Sequence, residues 1–336
     1  MDFSRKNIFG KVGSMRQLAF VRRSVLDDGR GRGTRIVDVV NGGGLQFTVY
    51  PDQGMDIGEA TYRGMPFVWL TPGPATAETY EPEQFAWLRS WGGGLLTGCG
   101  LLNVGGPCEA GELHGLHGRL SHIKAFDLNT DSAWNDSGEY VLSVSGKVSH
   151  SRVFGENLQL SRTVTTKLGE NRIVIDDTVE NLGYSETPYM QLYHMNFSWP
   201  LVDAESFLVA PEHPVTPQND VAAAGLAEWN KMAPPTQGFV EQVFYHDLPV
   251  GADGMAEMKL VNPKLKLTLS VRYSKATLPL LMEWKQMGQG EYVLGLEPGN
   301  CVPEGQPANA AKGFLKHLAP GETVRNKVEV ILSEQD

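Results

Sequence analysis

Three stretches of the chain, residues 140–148, 158–167 and 172–180, alternate apolar and polar side chains with a period of two. An extended chain points successive side chains to opposite faces, so this period demands strands with one buried face. The run Ile173-Val174-Ile175-Asp176-Asp177-Thr178-Val179 carries too many β-branched residues for a helix. Turn residues separate the three strands at Gly155-Glu156-Asn157 and Leu168-Gly169-Glu170-Asn171. The same alternation predicts a hairpin of residues 34–40 and 45–50 around Asn41-Gly42-Gly43-Gly44. A second hairpin is predicted from 259–261 and 265–273 around Asn262-Pro263, and a last strand over 322–332. Helix signals are confined to 81–91, with Phe85, Leu88 and Trp91 at helical spacing, and to 221–231, with Ala222-Ala223-Ala224. The prediction is an all-β chain, a large twisted antiparallel β-sandwich with few short helices. No compositional break divides it, so residues 1–336 are read as a single domain.

Charge narrows the partners. Twenty-nine basic against thirty-nine acidic residues give a net charge of −10. That lacks the basic footprint that nucleic acid or an anionic membrane surface requires, so neither is an expected partner. No stretch approaches the ~20 apolar residues of a membrane helix, and the N-terminal residues have no apolar signal core. Three cysteines, Cys99, Cys108 and Cys301, are too few for a disulfide framework and point to the cytoplasm. Asn135-Asp136-Ser137 and Asn196-Phe197-Ser198 have the glycosylation spelling, which has no consequence there.

Chemistry-bearing residues gather in four segments. The first, Trp91 to Gly106, is rich in glycine and lets backbone approach a ligand or a neighbouring strand closely. It has neither the ending of a phosphate-binding loop nor the setting of a dinucleotide fold, and no cofactor is expected. The second, Glu112-Leu113-His114-Gly115-Leu116-His117-Gly118-Arg119-Leu120-Ser121-His122, holds three of the chain's eight histidines. It reads as a proton-transfer and hydroxyl-binding segment, a metal site or a solvated loop, and the metal spelling is incomplete. The third, residues 189–200, is an aromatic strand whose face with Leu192, His194 and Asn196 is polar. Sugars are held by such stacking surfaces with a few aimed hydrogen bonds. In the fourth, Glu297 ends an apolar strand between Gly295 and Pro298. Apolar surroundings disfavour a carboxylate's charge and raise it toward a useful base, although a strand-end backbone contact explains the residue equally well. Asp56 and Glu241 are weaker candidates near turns, and Arg30, Arg32 and Arg35 read as a solvated loop. No Gly-x-Ser-x-Gly elbow is present.

Taken together, Gly93-Gly94-Leu95-Leu96, Cys99-Gly100-Leu101, Asn103-Val104-Gly105, Leu116-His117-Gly118-Arg119, Tyr193-His194-Met195-Asn196-Phe197 and Glu297-Pro298-Gly299-Asn300 resemble the aldose 1-epimerase-like (galactose mutarotase-like) family. The likeness is to its branch catalogued as a domain of unknown function, and it runs from about Gly10 to the end. The resemblance implies a galactose-mutarotase-like supersandwich with a small-molecule sugar in a cleft on one sheet. It implies His194 as general acid, Glu297 as general base and His117 as a second histidine beside the ring. Substrate-binding roles fall on Asn103, Arg119, Asn196, Glu241, Asp56, Trp284 and Asn300, with no metal. Trp199 is a further stacking candidate. The spellings Leu-His-Gly-Arg and Tyr-His-Met-Asn depart from those of the family's established mutarotases, so substrate identity does not carry over.

The expected activity is interconversion of sugar anomers by acid/base ring opening and closing. Two alternatives stand beside it. A carbohydrate-binding module on the same fold would bind sugar without faster anomer exchange. A metal-dependent sugar isomerase would use Glu112, His114, His117 and His122. An acidic or phosphorylated sugar is also open, with Arg89 and Arg119 to hold the anion.

Overall fold

The computed structural model describes residues 2–73 and 83–335. The alternating stretches form strands Tyr140–Ser151, Asn157–Lys167 and Arg172–Asn181, paired antiparallel in sequence order. They belong to an eight-stranded sheet in which Arg172–Asn181 pairs next with Thr323–Glu334, the predicted last strand. The hairpin Met255–Asn262 and Leu267–Ser274 follows beyond it. The first predicted hairpin is also present, Arg35–Val40 against Leu45–Tyr50, within a five-stranded sheet.

A seven-stranded sheet faces the eight-stranded one. At its centre Thr187–Ser198 pairs with Tyr292–Gly299, which pairs with Leu280–Met287, then Gln242–His246 and Val215–Pro217. Thr97–Leu101, from the glycine-rich segment, adds to the other side of Thr187–Ser198. The main apolar cluster fills the space between sheets and draws buried side chains from Ala19 to Leu332. Each fully buried aliphatic side chain there stabilises the fold by about 1.5–3 kcal/mol. A second cluster, with Trp87, Cys99, Leu192, Met282 and Cys301, covers the opposite face of the seven-stranded sheet.

One charged group crosses the main core. Arg162 is fully buried and forks onto Asp177 at 2.9 and 2.7 Å. Asp177 Oδ2 also accepts from the Tyr193 hydroxyl at 2.7 Å and from Gln191 Nε2 at 3.1 Å. Arg162 and Asp177 sit opposite each other in the eight-stranded sheet, whereas Gln191 and Tyr193 flank Leu192 on the facing one. Buried charges survive only when paired and hydrogen-bonded in this way.

The helical predictions hold in part. Residues 81 and 82 lie outside the described residues, and the rest of 81–91 supports only a 3-10 turn, Ala86–Arg89, before three glycines. The second becomes the helix Asp220–Gly225, capped by the Asn219 side chain, followed by a 3-10 turn at Leu226–Glu228. Short helices at Arg5–Phe9 and Gln306–Ala311 had no predicted counterpart. Among the described residues no helix is long and apolar enough to cross a membrane. Cys99, Cys108 and Cys301 are free thiols.

Candidate active site

Strand register assembles the site. The pairs Leu192 with Gly299 and Asn196 with Gly295 place His194 opposite Glu297. On the next strand Met282 lies opposite Glu297 and Trp284 opposite Gly295. Residues opposite each other share a face, so His194, Glu297 and Trp284 converge on the side away from the main core. His194 Nε2 lies 3.3 Å from Glu297 Oε1, within ion-pair distance but not aligned as a hydrogen bond. Both side chains are buried, 6% and 3% exposed. Gly295 makes the room: a Cβ there would stand 2.4 Å from Glu297 Oε1 and 3.0 Å from Trp284 Cβ.

His117 reaches the same place from the glycine-bounded loop. Its backbone sits at φ 57°, in the left-handed region that non-glycine residues rarely adopt, and such strain concentrates at functional sites. Its Nδ1 accepts from Gly105 N at 3.3 Å, which leaves Nε2 to carry the proton of the neutral ring. Gly105 is itself wedged against the chain: a Cβ would fall 2.0 Å from Pro303 C. The His117 ring stands 5.5 Å from His194 and 4.8 Å from Trp87.

Indole rings wall the pair. Trp91 and Trp284 approach the His194 ring edge-on at 5.1 and 5.4 Å. Trp69 touches both, at 5.1 Å from Trp91 and 6.2 Å from Trp284. The indole N–H groups of Trp87 and Trp91 point away, to Ser121 Oγ at 3.3 Å and Thr97 Oγ1 at 2.9 Å. Trp284 Nε1 donates to Glu241 Oε2 at 2.7 Å.

This enclosure sets the protonation states. Burial, then the neighbouring His117, push His194 down to about 3, against a hydrogen-bonding contribution from Asn196. Burial alone takes His117 down to about 4. Burial, reinforced by the Glu241 carboxylate, holds Glu297 well above the usual carboxylate range. Burial thus favours the neutral form of each group, with the pair's proton on Glu297 and His194 as the free base.

Of the residues singled out from sequence, His117, His194, Glu297, Trp284 and Glu241 come together. Two asparagines, Asn103 and Asn300, are instead committed to fixing neighbouring chain, and Asn196 is committed in part. Asn103 donates to Gly106 O and Gly115 O and accepts from Cys108 Sγ and Gln306 N, which uses its amide completely. Asn300 joins Gln191 N to Tyr189 O, whereas Asn196 donates to Gly94 O and His194 O but keeps a buried Oδ1 with no hydrogen-bond partner. For Asn103 and Asn300 the expected sugar-binding role gives way to loop fixing around the site. Arg119 pairs with Glu112 at 3.2 Å on the wall of a separate cleft of about 610 Å³. Asp56 lies behind the Trp87–Trp91 wall, accepting from Gly98 N at 2.8 Å beside a chamber of about 30 Å³, enough for one water. Burial first, opposed by Arg162, pushes Asp56 up to about 8. Trp199 is 67% exposed in a turn and takes no part.

The segment Glu112 to His122 does not gather its imidazoles. His114 faces Ala110 O, His122 bonds Ser90 Oγ, and His117 turns to His194. Among the described residues no group of three or more His, Cys, Asp or Glu side chains is placed to hold a metal ion. Trp69, Trp87 and Trp91 had no predicted site role. The pairing of Trp87 with Trp91 just before Gly92-Gly93-Gly94 was the available signal.

Residues 31–332 match DUF4432, a domain of unknown function. The chain belongs to the DUF4432 family. No curated protein matches it. Among solved structures, this DUF4432 chain resembles a Klebsiella pneumoniae protein provisionally described as an aldose 1-epimerase. The two share 24% identity at a TM-score of 0.87, over 94% of this chain and 83% of that one. A galactose mutarotase-like protein from Clostridium acetobutylicum aligns at TM-score 0.64 and 14% identity, over 95% of this chain and 100% of its own. A galactose 1-epimerase from Lactobacillus acidophilus aligns at 0.61 and 14%, with the same coverage. At these identities the likeness is one of fold, and the fold is galactose-mutarotase-like.

Proposed function

We propose that this protein is an aldose 1-epimerase that interconverts the anomers of a small sugar, working as one unit over its whole length. The observation that carries this reading is the 3.3 Å separation of His194 Nε2 and Glu297 Oε1 inside an aromatic enclosure. Ring opening must take a proton from the anomeric hydroxyl and give one to the ring oxygen. These two oxygens share one carbon, so acid and base must stand side by side. The pair's single proton, which burial places on Glu297 at rest, must first pass to His194 across this gap; Glu297 is then the base and His194 the acid. The ring opens, the C1–C2 bond rotates and the ring recloses on the other face, with each proton returned by the same groups. His117, neutral and carrying its proton on Nε2, supports the ring-oxygen side. The half-buried indoles of Trp91 and Trp284 supply apolar surface for the sugar's C–H faces.

Exchange NMR of anomeric protons tests the reading, with a panel of neutral aldoses, uronic acids and sugar phosphates. Each proton transfer contributes about 10² to 10⁴ in rate, so Glu297→Gln should lose that acceleration while still binding sugar. The rate should also fall as pH rises through the raised Glu297 value, because the pair then loses the proton His194 must donate. Wild-type rates in the variant refute the assignment. Saturable binding without exchange in the wild type favours a carbohydrate-binding module instead.

A further inference from the structure

Glu241 stands at the edge of the enclosure, exposed, just before the strand Gln242–His246. The family resemblance implies a substrate-binding role for it. In the structure its Oε2 takes the Trp284 indole N–H at 2.7 Å. That bond fixes the rotation of a ring that packs on three partners: His194 at 5.4 Å, Trp91 at 5.9 Å and Trp69 at 6.2 Å. Trp284 is also the residue opposite Gly295, the glycine whose missing side chain admits the Glu297 carboxylate. One side chain thus controls the aromatic wall and brings a second carboxylate to the face that holds Glu297.

We propose that Glu241 is a positioning residue, which locks Trp284 against His194 and sets a negative charge on the sheet face that holds the base Glu297. The proposal rests on the epimerase reading and adds a division of labour to it. The hydrogen bond acts on substrate binding through Trp284. The charge acts on the proton of the His194–Glu297 pair. A like charge nearby disfavours ionisation, consistent with the raised Glu297 carboxyl. Among the described residues, the other titratable groups around Glu297 are His194 and His117, Cys99 from the glycine-rich strand, and Tyr245 from the strand beyond Leu280–Met287. Of these and Glu241, only Glu241 both bonds an enclosing indole and bears a carboxylate.

Three variants separate the two effects. Glu241→Gln keeps an acceptor for the indole N–H but removes the charge. Its KM should stay near wild type, while the high-pH fall in rate moves to lower pH, because Glu297 then gives up its proton more readily. Trp284→Phe keeps the charge and loses the stacked indole, so KM should rise with the high-pH limb unmoved. Glu241→Ala should show both changes, with KM up roughly tenfold for loss of a hydrogen bond to a charged group. The indole N–H resonance of Trp284, in ¹⁵N-labelled protein, reads the bond without any turnover. It should move in Glu241→Ala and hold its place in Glu241→Gln. An unchanged Trp284 resonance in Glu241→Ala overturns the lock. A KM in Glu241→Gln as high as in Glu241→Ala overturns the proposal in favour of direct sugar contact by the carboxylate. A high-pH limb that stays fixed in Glu241→Gln overturns the charge role. If wild type accelerates no anomer exchange, the epimerase reading fails, and the resonance still decides whether Glu241 locks Trp284.

Discussion

Along the strand Tyr140–Ser151 of the eight-stranded sheet, buried and half-exposed residues take turns; along Tyr292–Gly299 of the seven-stranded sheet every residue is buried. The first sheet has one apolar neighbour and leaves its other face to solvent. The second lies between the main core and the indole enclosure, and its polar residues occupy positions where a strand normally puts apolar ones. A sheet with one dry face stabilises the fold, and a sheet with two can hold ionisable groups away from water. That difference is what moves His194 and Glu297 off their ordinary values, since burial is the leading cause for both.

The comparison can be broken where the two sheets meet. Asp177 joins Arg162 on its own sheet to Tyr193 and Gln191 on the other. Removing one partner of a buried ion pair costs about 3–5 kcal/mol, so Asp177→Asn should lower urea-unfolding stability by that amount. A loss under about 1 kcal/mol, the scale of an exposed pair, would mean that the charge is not held in a dry core. The next largest effect belongs to the site sheet alone. Gly295→Ala should displace Glu297 and Trp284 while the fold persists, and a displacement of that kind costs about 10²-fold in rate. Rates and circular dichroism measured together decide it: full activity denies that Gly295 makes room for the base. The smallest change sharpens the contrast from the other side. Thr163→Val, on the half-exposed face of Asn157–Lys167, should shift stability by no more than about 0.5 kcal/mol. A larger loss in the same unfolding assay would show that this face is covered.

Legibility in the sequence follows the same line. The eight-stranded sheet was readable because one-sided burial writes a period-two pattern into Tyr140–Ser151, Asn157–Lys167 and Arg172–Asn181. Even there the pattern concealed a pairing. Arg162 and Asp177 hold inner-face positions, but only cross-strand register reveals that they face each other. In the site sheet, resemblance pointed to His194 and Glu297, and the structure brings them to 3.3 Å. It pointed equally to Asn103 and Asn300, whose amides are spent on fixing loops. An asparagine beside a ligand and one that pins a loop beside a ligand have the same one-letter spelling. The enclosing Trp69, Trp87 and Trp91 were hidden for a further reason: isolated tryptophans read as core until long-range contacts place them. The 3-10 turn at Ala86–Arg89 shows how weak local helical spacing is beside three following glycines.

Four of the chain's seven tryptophans, Trp69, Trp87, Trp91 and Trp284, stand within 6.2 Å of one another in successive contacts around His194. Indoles this close exchange excitation energy. The protein therefore carries an intrinsic optical reporter of its own pocket. Near-ultraviolet ellipticity follows the mutual orientation of the rings, with no label attached and no product to detect.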